Sequence, residues 1–290
     1  MSDGAIFLGV ENINEFFTQH YLAAILAGDL KPVLKQWREE ADARRAALAA
    51  EDERPQTGRP VHRAPPQELG VASGDWFRAR EQLRAATGNA RVRQHLELQA
   101  PLLSLLGYGE HLRHRIVALP SGHLPLLGAV NRPDGSPLLW ILPVVQAPDS
   151  ELGTLASSLL PEQLAAPAEH TSPAGAELVP TGTVDAEQLV TEAFGLEEPP
   201  RFILVVGEDD LFLLERGKWS EQRLLRFDLP EILGRRQGDT LDITAALLHR
   251  ESLAPGEGTA LIDALDDNSH KHAFEVSEDL KYALQACIEK

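Results

Sequence analysis

One cysteine, Cys287, occurs in 290 residues. A single thiol excludes an intrachain disulfide and any zinc site built on paired cysteines. No run of about 18 apolar residues occurs, so no membrane-spanning helix is expected. The opening stretch MSDGAIFLGVEN lacks a basic region followed by a long apolar one. No secretion signal is expected, and the chain reads as cytoplasmic. The strong enzyme signatures are missing too: no Walker loop, no GxGxxG behind a strand, no GxSxG and no HExxH.

What is present suits a folded protein with a sizeable core: 43% hydrophobic and 24% charged residues. The net charge of −17 argues against a surface that binds nucleic acid all over. That charge is uneven. Asp149–Pro200 holds ten acids and no Lys or Arg, whereas Arg59–Arg115 holds nine Arg against five acids. The arginine-rich stretch reads either as solvated helix faces or as a phosphate-facing patch.

The periodicity predicts an α+β chain: helices first, then a small mixed sheet flanked by helices. Residues 5–10 form a short apolar run of strand type, and Asn12–Glu15 has the form of a capping box for a helix ending near Gly28. A second helix carries Trp37 and runs on into an exposed Ala/Glu/Arg-rich extension. The implied divisions are a helical segment at 1–53, a Pro-rich linker at 54–74, a mixed α/β unit at 75–252 and a helical connector at 253–290. Within the mixed unit, a helical region 75–106 breaks near Thr87-Gly88-Asn89 and buries Val92, Leu96, Pro101, Leu102, Leu105 and Leu106. Strands follow at 113–118, 125–131 and 137–147, the last two joined by the turn Asn131–Ser136. An acidic irregular insertion spans 148–182, and a helix at 185–195 turns Val190 and Phe194 inward. The strands RFILVVG and LFLLER flank the acidic turn Glu208-Asp209-Asp210.

Metal-binding residue types cluster twice. Asp266-Asp267-Asn268-Ser269-His270-Lys271-His272 sets two imidazoles beside two carboxylates, but His270 and His272 share a ligand only if that segment is extended. The alternative is a polar connector between helices at 259–267 and 277–290, with Ser277 capping the second. A helix ending LLSLLGYG before a mixed sheet also suggests a restriction-endonuclease-like core, in which an Asp and a (D/E)xK triplet hold Mg²⁺. Asp134 occupies the turn, yet Gln146-Ala147-Pro148 stands at the triplet position, so such a core would be degenerate. An active Mg²⁺ nuclease would need Asp134 with other acids, such as Glu110 or Asp149.

Four blocks carry a family resemblance: ENINEFFTQHYLAAILAGDL, PPRFILVVGEDDLFLLERGKW, RLLRFDLPEILGRR and ALIDALDDNSHKHAFEVSEDLKYAL. They resemble the N-terminal regions of large bacterial DNA adenine methylases of restriction-modification and phage-defence systems, of the type IIG, DISARM and BREX kinds. The resemblance implies a non-catalytic N-terminal module that contacts DNA, scaffolds, or docks other defence-system subunits. The methyl-donor Gly motif and the Asn-Pro-Pro-Tyr/Phe motif of the family do not occur in these residues, so S-adenosylmethionine would belong to a downstream methyltransferase domain. The candidate DNA-facing residues are Arg78, Arg80, Arg84, Arg91 and Arg93, with Lys218, Arg223 and Arg226 as a second set. No catalytic residue is assigned. A pure protein-interaction adaptor is the other alternative.

Overall fold

Strands that alternate apolar and polar residues have one wet face; strands that are apolar throughout must be covered on both. Phe202–Val206 and the Leu211–Leu214 centre of Asp210–Glu215 are of the second kind, and every residue of both strands is buried. The computed structural model describes residues 7–51, 62–148, 150–164 and 179–288, and in it these two strands lie at the centre of a six-stranded mixed sheet. The strands, in chain order, are β1 (Val10–Ile13), β4 (Gly128–Asn131), β5 (Pro137–Pro143), β6 (Phe202–Val206), β7 (Asp210–Glu215) and β8 (Leu224–Asp228). Their spatial order is β1-β8-β7-β6-β5-β4, with only β5 and β6 parallel. Two further strands, β2 (Arg115–Leu119) and β3 (Gly122–Leu126), form a separate antiparallel hairpin. The fold is α+β.

The two faces of the sheet feed two apolar clusters. Leu139, Ile141, Phe202, Leu204, Val206, Leu211 and Leu213 point to the larger one, where most of the helices pack. Their alternate neighbours Trp140, Leu142, Ile203, Val205, Phe212 and Leu214 point to the smaller. That second face is covered by the β2–β3 hairpin and by α6 (Ala186–Phe194), which Asp185 caps and whose Val190 and Phe194 turn inward as expected.

The N-terminal helices are α1 (Gln19–Ala24), α2 (Leu26–Asp29) and α3 (Lys31–Glu51). They share the larger cluster with the sheet through Phe16, Phe17, Tyr21, Leu26, Leu30 and Trp37. The expected capping box at Asn12 is not the helix start. Asn12 lies in β1, Asn14 and Glu15 turn the chain with φ of 50° and 59°, and Thr18 is the cap. Asn12 instead brackets Phe17, donating to its carbonyl (2.7 Å) and accepting from its N–H (3.1 Å). Gly28 lies within α2 rather than stopping a helix.

The Pro-rich stretch is shorter than its composition suggests. Residues 52–61 lie outside the described ones, but Pro65 and Pro66 open α4 (Pro65–Arg84), where a missing N–H costs nothing. Thr87 precedes α5 (Gly88–Leu105), which confirms the expected break. The expected inward face of α5 is only half right: Leu96 and Leu105 are half-buried and Pro101 is exposed. The buried stripe instead includes Arg91, His95 and Gln99.

After β8 come α8 (Leu229–Arg235), α9 (Gly238–Leu248) and α10 (Arg250–Leu253), with a four-residue helix, α7 (Arg216–Trp219), between β7 and β8. The final helix α11 (Leu261–Ile288) is continuous for 28 residues. It corrects the expectation of two helices joined by a polar connector: Asp266–His272 is helical, and Ser277 lies within the helix. No helix among the described residues is long and apolar enough to cross a membrane.

Charge fixes α11 to the sheet. Its Asp263 and Asp266, one turn apart, meet Arg201 and Lys218, and both cations also meet Glu215 of β7. Lys218 is 8% exposed, donates to the Phe16 carbonyl (3.0 Å) and lies 4.2 Å from the Phe16 ring centre. A buried cation removed from such a group leaves its carboxylates uncompensated. Lys218→Ala is therefore expected to destabilise the fold by about 3 kcal/mol, measured as a lowered urea midpoint with an unchanged slope.

Candidate functional site

In sheets with parallel strands, ligands gather outside the carboxyl ends of those strands. Here those ends are Pro143 of β5 and Val206 of β6, which lie side by side. The turn that follows β6 is Gly207-Glu208-Asp209-Asp210, closed by a bond from the Gly207 N–H to the Asp210 carbonyl (2.8 Å). Three adjacent carboxylates at this place are the natural starting point for a cation or phosphoryl site.

Each of the three is already engaged. Arg91, 3% exposed, meets Glu208 and spends its remaining donors on the carbonyls of Gln146 (2.6 Å), Leu83 (3.0 Å) and Ala86 (3.4 Å). Arg80 grips both oxygens of Asp209 and lies 5.7 Å from the Trp76 ring centre, while Arg84 approaches the same carboxylate at 3.8 Å. Asp210 accepts from the Thr154 hydroxyl (2.5 Å) and from Arg226 (3.1 Å). Burial pushes the carboxyls of Glu208 and Asp210 up, and their cationic partners oppose that shift.

Helix α5 supplies the rest of the clamp. Arg91, His95 and Gln99 recur every four residues and so line one face. His95 Nε2 (3.0 Å) and Gln99 Nε2 (2.7 Å) both bond the Gly207 carbonyl. Because that partner is an acceptor, Nε2 carries the imidazole proton. Burial, with Arg91 adding to it, pushes His95 down to about 4, so the ring is neutral at pH 7. Gly207 itself is tightly enclosed: a side chain there would run into Asp210 and Thr154.

The eight sequence-predicted cations separate into three kinds. Arg80, Arg91, Lys218 and Arg226 are committed to internal carboxylates, and Arg226 also meets Glu11 (2.7 Å). Arg223 donates to the Glu15 carbonyl (2.7 Å) and pairs loosely with Glu221. Arg78, Arg84 and Arg93 lie at the surface, Arg78 beside Asp75 (2.8 Å) and Arg84 beside Glu81 (3.3 Å). Of the five candidates in the arginine-rich stretch, Arg80 and Arg91 are internal glue, and Arg78, Arg84 and Arg93 face solvent.

The expected metal ligands are not brought together. Asp134 sits in the β4–β5 turn, where Ser136 donates to it through both N–H (2.9 Å) and hydroxyl (2.7 Å), which holds its carboxyl below the usual range. Glu110 lies in a short 3-10 turn, Gly109–His111, and Asp149 is outside the described residues. His270 and His272, two apart on a helix, point about 200° apart around its axis. His270 leans on Asp266 (3.7 Å) and His272 stacks on Tyr21 (6.3 Å between centres). Among the described residues no group of three or more His, Cys, Asp or Glu is placed to hold a metal ion.

A separate cleft of about 450 Å³ lies between α3, the start of α4, the end of α5 and α10. Its cations Arg44, Arg63 and Arg250 each have an acidic neighbour, Glu40, Glu68 and Glu251, so it presents no net charge to a ligand. No family model matches this chain, and no curated protein or solved structure matches it significantly.

His95 gives the clamp a pH signature. Its proton affinity is lower in the fold than in the unfolded chain, so stability is fully present above about pH 6.5 and is lost as pH falls toward 4. The loss amounts to about 3 kcal/mol. Glu208 and Asp210, with raised carboxyls, titrate in the opposite sense. Comparing wild type with His95→Gln, by urea unfolding at pH 7 and pH 4, isolates the imidazole: the variant should show the smaller loss.

Proposed function

We propose that this chain is a non-catalytic module of a bacterial DNA-modifying defence protein of the adenine-methylase type, acting as scaffold and docking body. One observation carries the non-catalytic part. The three-carboxylate turn at the carboxyl end of the parallel strands is neutralised by the chain's own Arg91, Arg80 and Arg226. A divalent cation would have to displace guanidinium groups that are themselves packed and hydrogen-bonded.

The nuclease alternative has less support. A restriction-type site needs an Asp on one strand and a second carboxylate with a lysine on the next. Asp134 is held by Ser136 in a solvent-facing turn, and β5 beside it reads PLLWILP, without a carboxylate or a lysine. These residues do not fit a divalent cation, and no hydrolytic step is derived for them. The methyl donor, likewise, has no Gly-rich loop here to hold it; methyl transfer would be the work of a different domain.

DNA contact, where the module makes it, falls to Arg78, Arg84 and Arg93, since the other candidates are engaged inside the fold. The chain is expected to leave supercoiled plasmid intact with Mg²⁺ or Mn²⁺; cleavage that disappears in Asp134→Ala would overturn the proposal. Titration with duplex DNA at two salt concentrations separates contact from pure scaffolding. Any affinity should fall in Arg84→Glu/Arg93→Glu and show a shallower salt dependence, whereas an affinity unaltered by that double variant removes these arginines from the interface.

A further inference from the structure

Sheet edges offer unpaired N–H and C=O groups, and folded proteins protect them. Three edges here are protected. β1 is four residues long, its Glu11 is paired with Arg226, and the left-handed Asn14 and Glu15 turn the chain away at its end. β4 is only four residues long, and the 3-10 turn packs against it, with the His111 carbonyl standing where a side chain on Gly128 would be. β3 is covered by residue 179, whose carbonyl accepts from the His123 N–H (2.8 Å). β2 remains.

The register shows which groups β2 offers. Ile116 lies opposite Pro125, which has no N–H, and Ala118 lies opposite His123, whose N–H points to Val179. By the alternation of antiparallel pairs, the N–H and C=O of Ile116 and Ala118 therefore point away from β3. Neither residue has a hydrogen-bond partner among the described residues. The strand reads Arg-Ile-Val-Ala-Leu: β-branched, free of acids, with Ala118 exposed. It has none of the usual edge defences apart from Arg115 at its start.

We propose that β2 is the joint of a two-fold homodimer, in which the strand pairs antiparallel with its copy about Val117. Centred there, Ile116 falls opposite the partner's Ala118 and Ala118 opposite the partner's Ile116. These are the residues with outward N–H and C=O groups, so each pair exchanges two hydrogen bonds. A register displaced by one residue would bring an inward-facing residue against an outward-facing one and lose them. The charges agree with this register. Arg115 meets the partner's Leu119 rather than a like charge. Arg113, exposed just before the strand, falls opposite the partner's Ser121. Ser121 binds the Glu192 carboxylate through its N–H (3.0 Å) and hydroxyl (2.7 Å), so each guanidinium arrives at an acid of the other copy. The join produces one four-stranded sheet from two hairpins.

A five-residue strand pair buries less than the roughly 1,200–2,000 Å² of a stable complex, so the association should be weak. Sedimentation velocity from roughly micromolar to roughly millimolar concentration should show the mass rising toward twice 31.7 kDa. Hydrogen exchange should show Ile116 and Ala118 amides gaining protection over the same range. Ala118→Pro removes an outward N–H without costing a bond to β3, so it should fold yet stay monomeric. Arg113→Glu should weaken the dimer several-fold, and Arg113→Glu/Glu192→Arg should restore it. A chain that stays monomeric at the highest concentration overturns the proposal, as does a dimer indifferent to both Ala118→Pro and Arg113→Glu.

Discussion

The Gly207–Asp210 turn could not exist as it stands without Arg91. Three consecutive carboxylates at the end of two buried strands repel one another and lose hydration, a combination that would raise their pKa values or unfold the corner. A guanidinium from α5 enters beside Glu208 and ties the same corner to three carbonyls from α4, the α4–α5 link and the chain after β5. His95 and Gln99, one and two turns further, then hold the Gly207 carbonyl. Helix, turn and the loop after β5 are joined through one side chain, and the position of α5 over the sheet follows from it. A planar five-donor group serves this purpose where a lysine could not.

That clamp also explains which parts of the fold were legible in the sequence. The all-apolar strands FILVV and LFLL announce burial on both faces, and α6 has a clean apolar stripe behind an Asp cap; both were readable because burial and hydrophobicity coincide there. In α5 they do not coincide. Its inward face carries Arg91, His95 and Gln99, so a search for apolar spacing assigns Leu96, Pro101 and Leu105 to the core and misses the residues that hold the sheet end. A polar stripe at four-residue spacing was the available signal, but it says nothing about its partner, 108 to 117 residues away. Similarly, the polar run from Asp266 to His272 looked like the end of one helix and a connector to the next because the partners of Asp263 and Asp266, Arg201 and Lys218, come from elsewhere in the chain. Their pairing lets the helix run straight through a segment whose composition resembles a loop.

The same partnerships reverse the meaning of the basic residues. The chain has 27 Lys and Arg against 44 Asp and Glu, so a local excess of arginine looked like a surface patch. Long-range pairing uses two of those arginines, with two cations from elsewhere in the chain, inside the fold. Arg91 and Arg80 neutralise the turn, Arg226 bridges β1 and β7, and Lys218 anchors α11. Desolvated pairs of this kind are poor sources of stability compared with an apolar core, but they are demanding about geometry, since each partner has one place where its charge is met. An arginine count cannot distinguish a cation that faces phosphate from one that faces an aspartate 129 residues later, as Arg80 does.

The consequence for function is a body that stays strongly anionic, with a formal net charge of −17, since the internal cations are matched by internal acids and leave that balance unchanged. A strongly anionic body is repelled by nucleic acid except where a few free cations cluster. Any DNA contact must therefore be local and borne by a small set of residues at the outer side of α4 and α5. A docking or scaffolding role has no such constraint and is compatible with the acidic surface. The sheet end after β6 keeps its three acids, and Arg91, Arg80 and Arg226 meet their charge from within the fold.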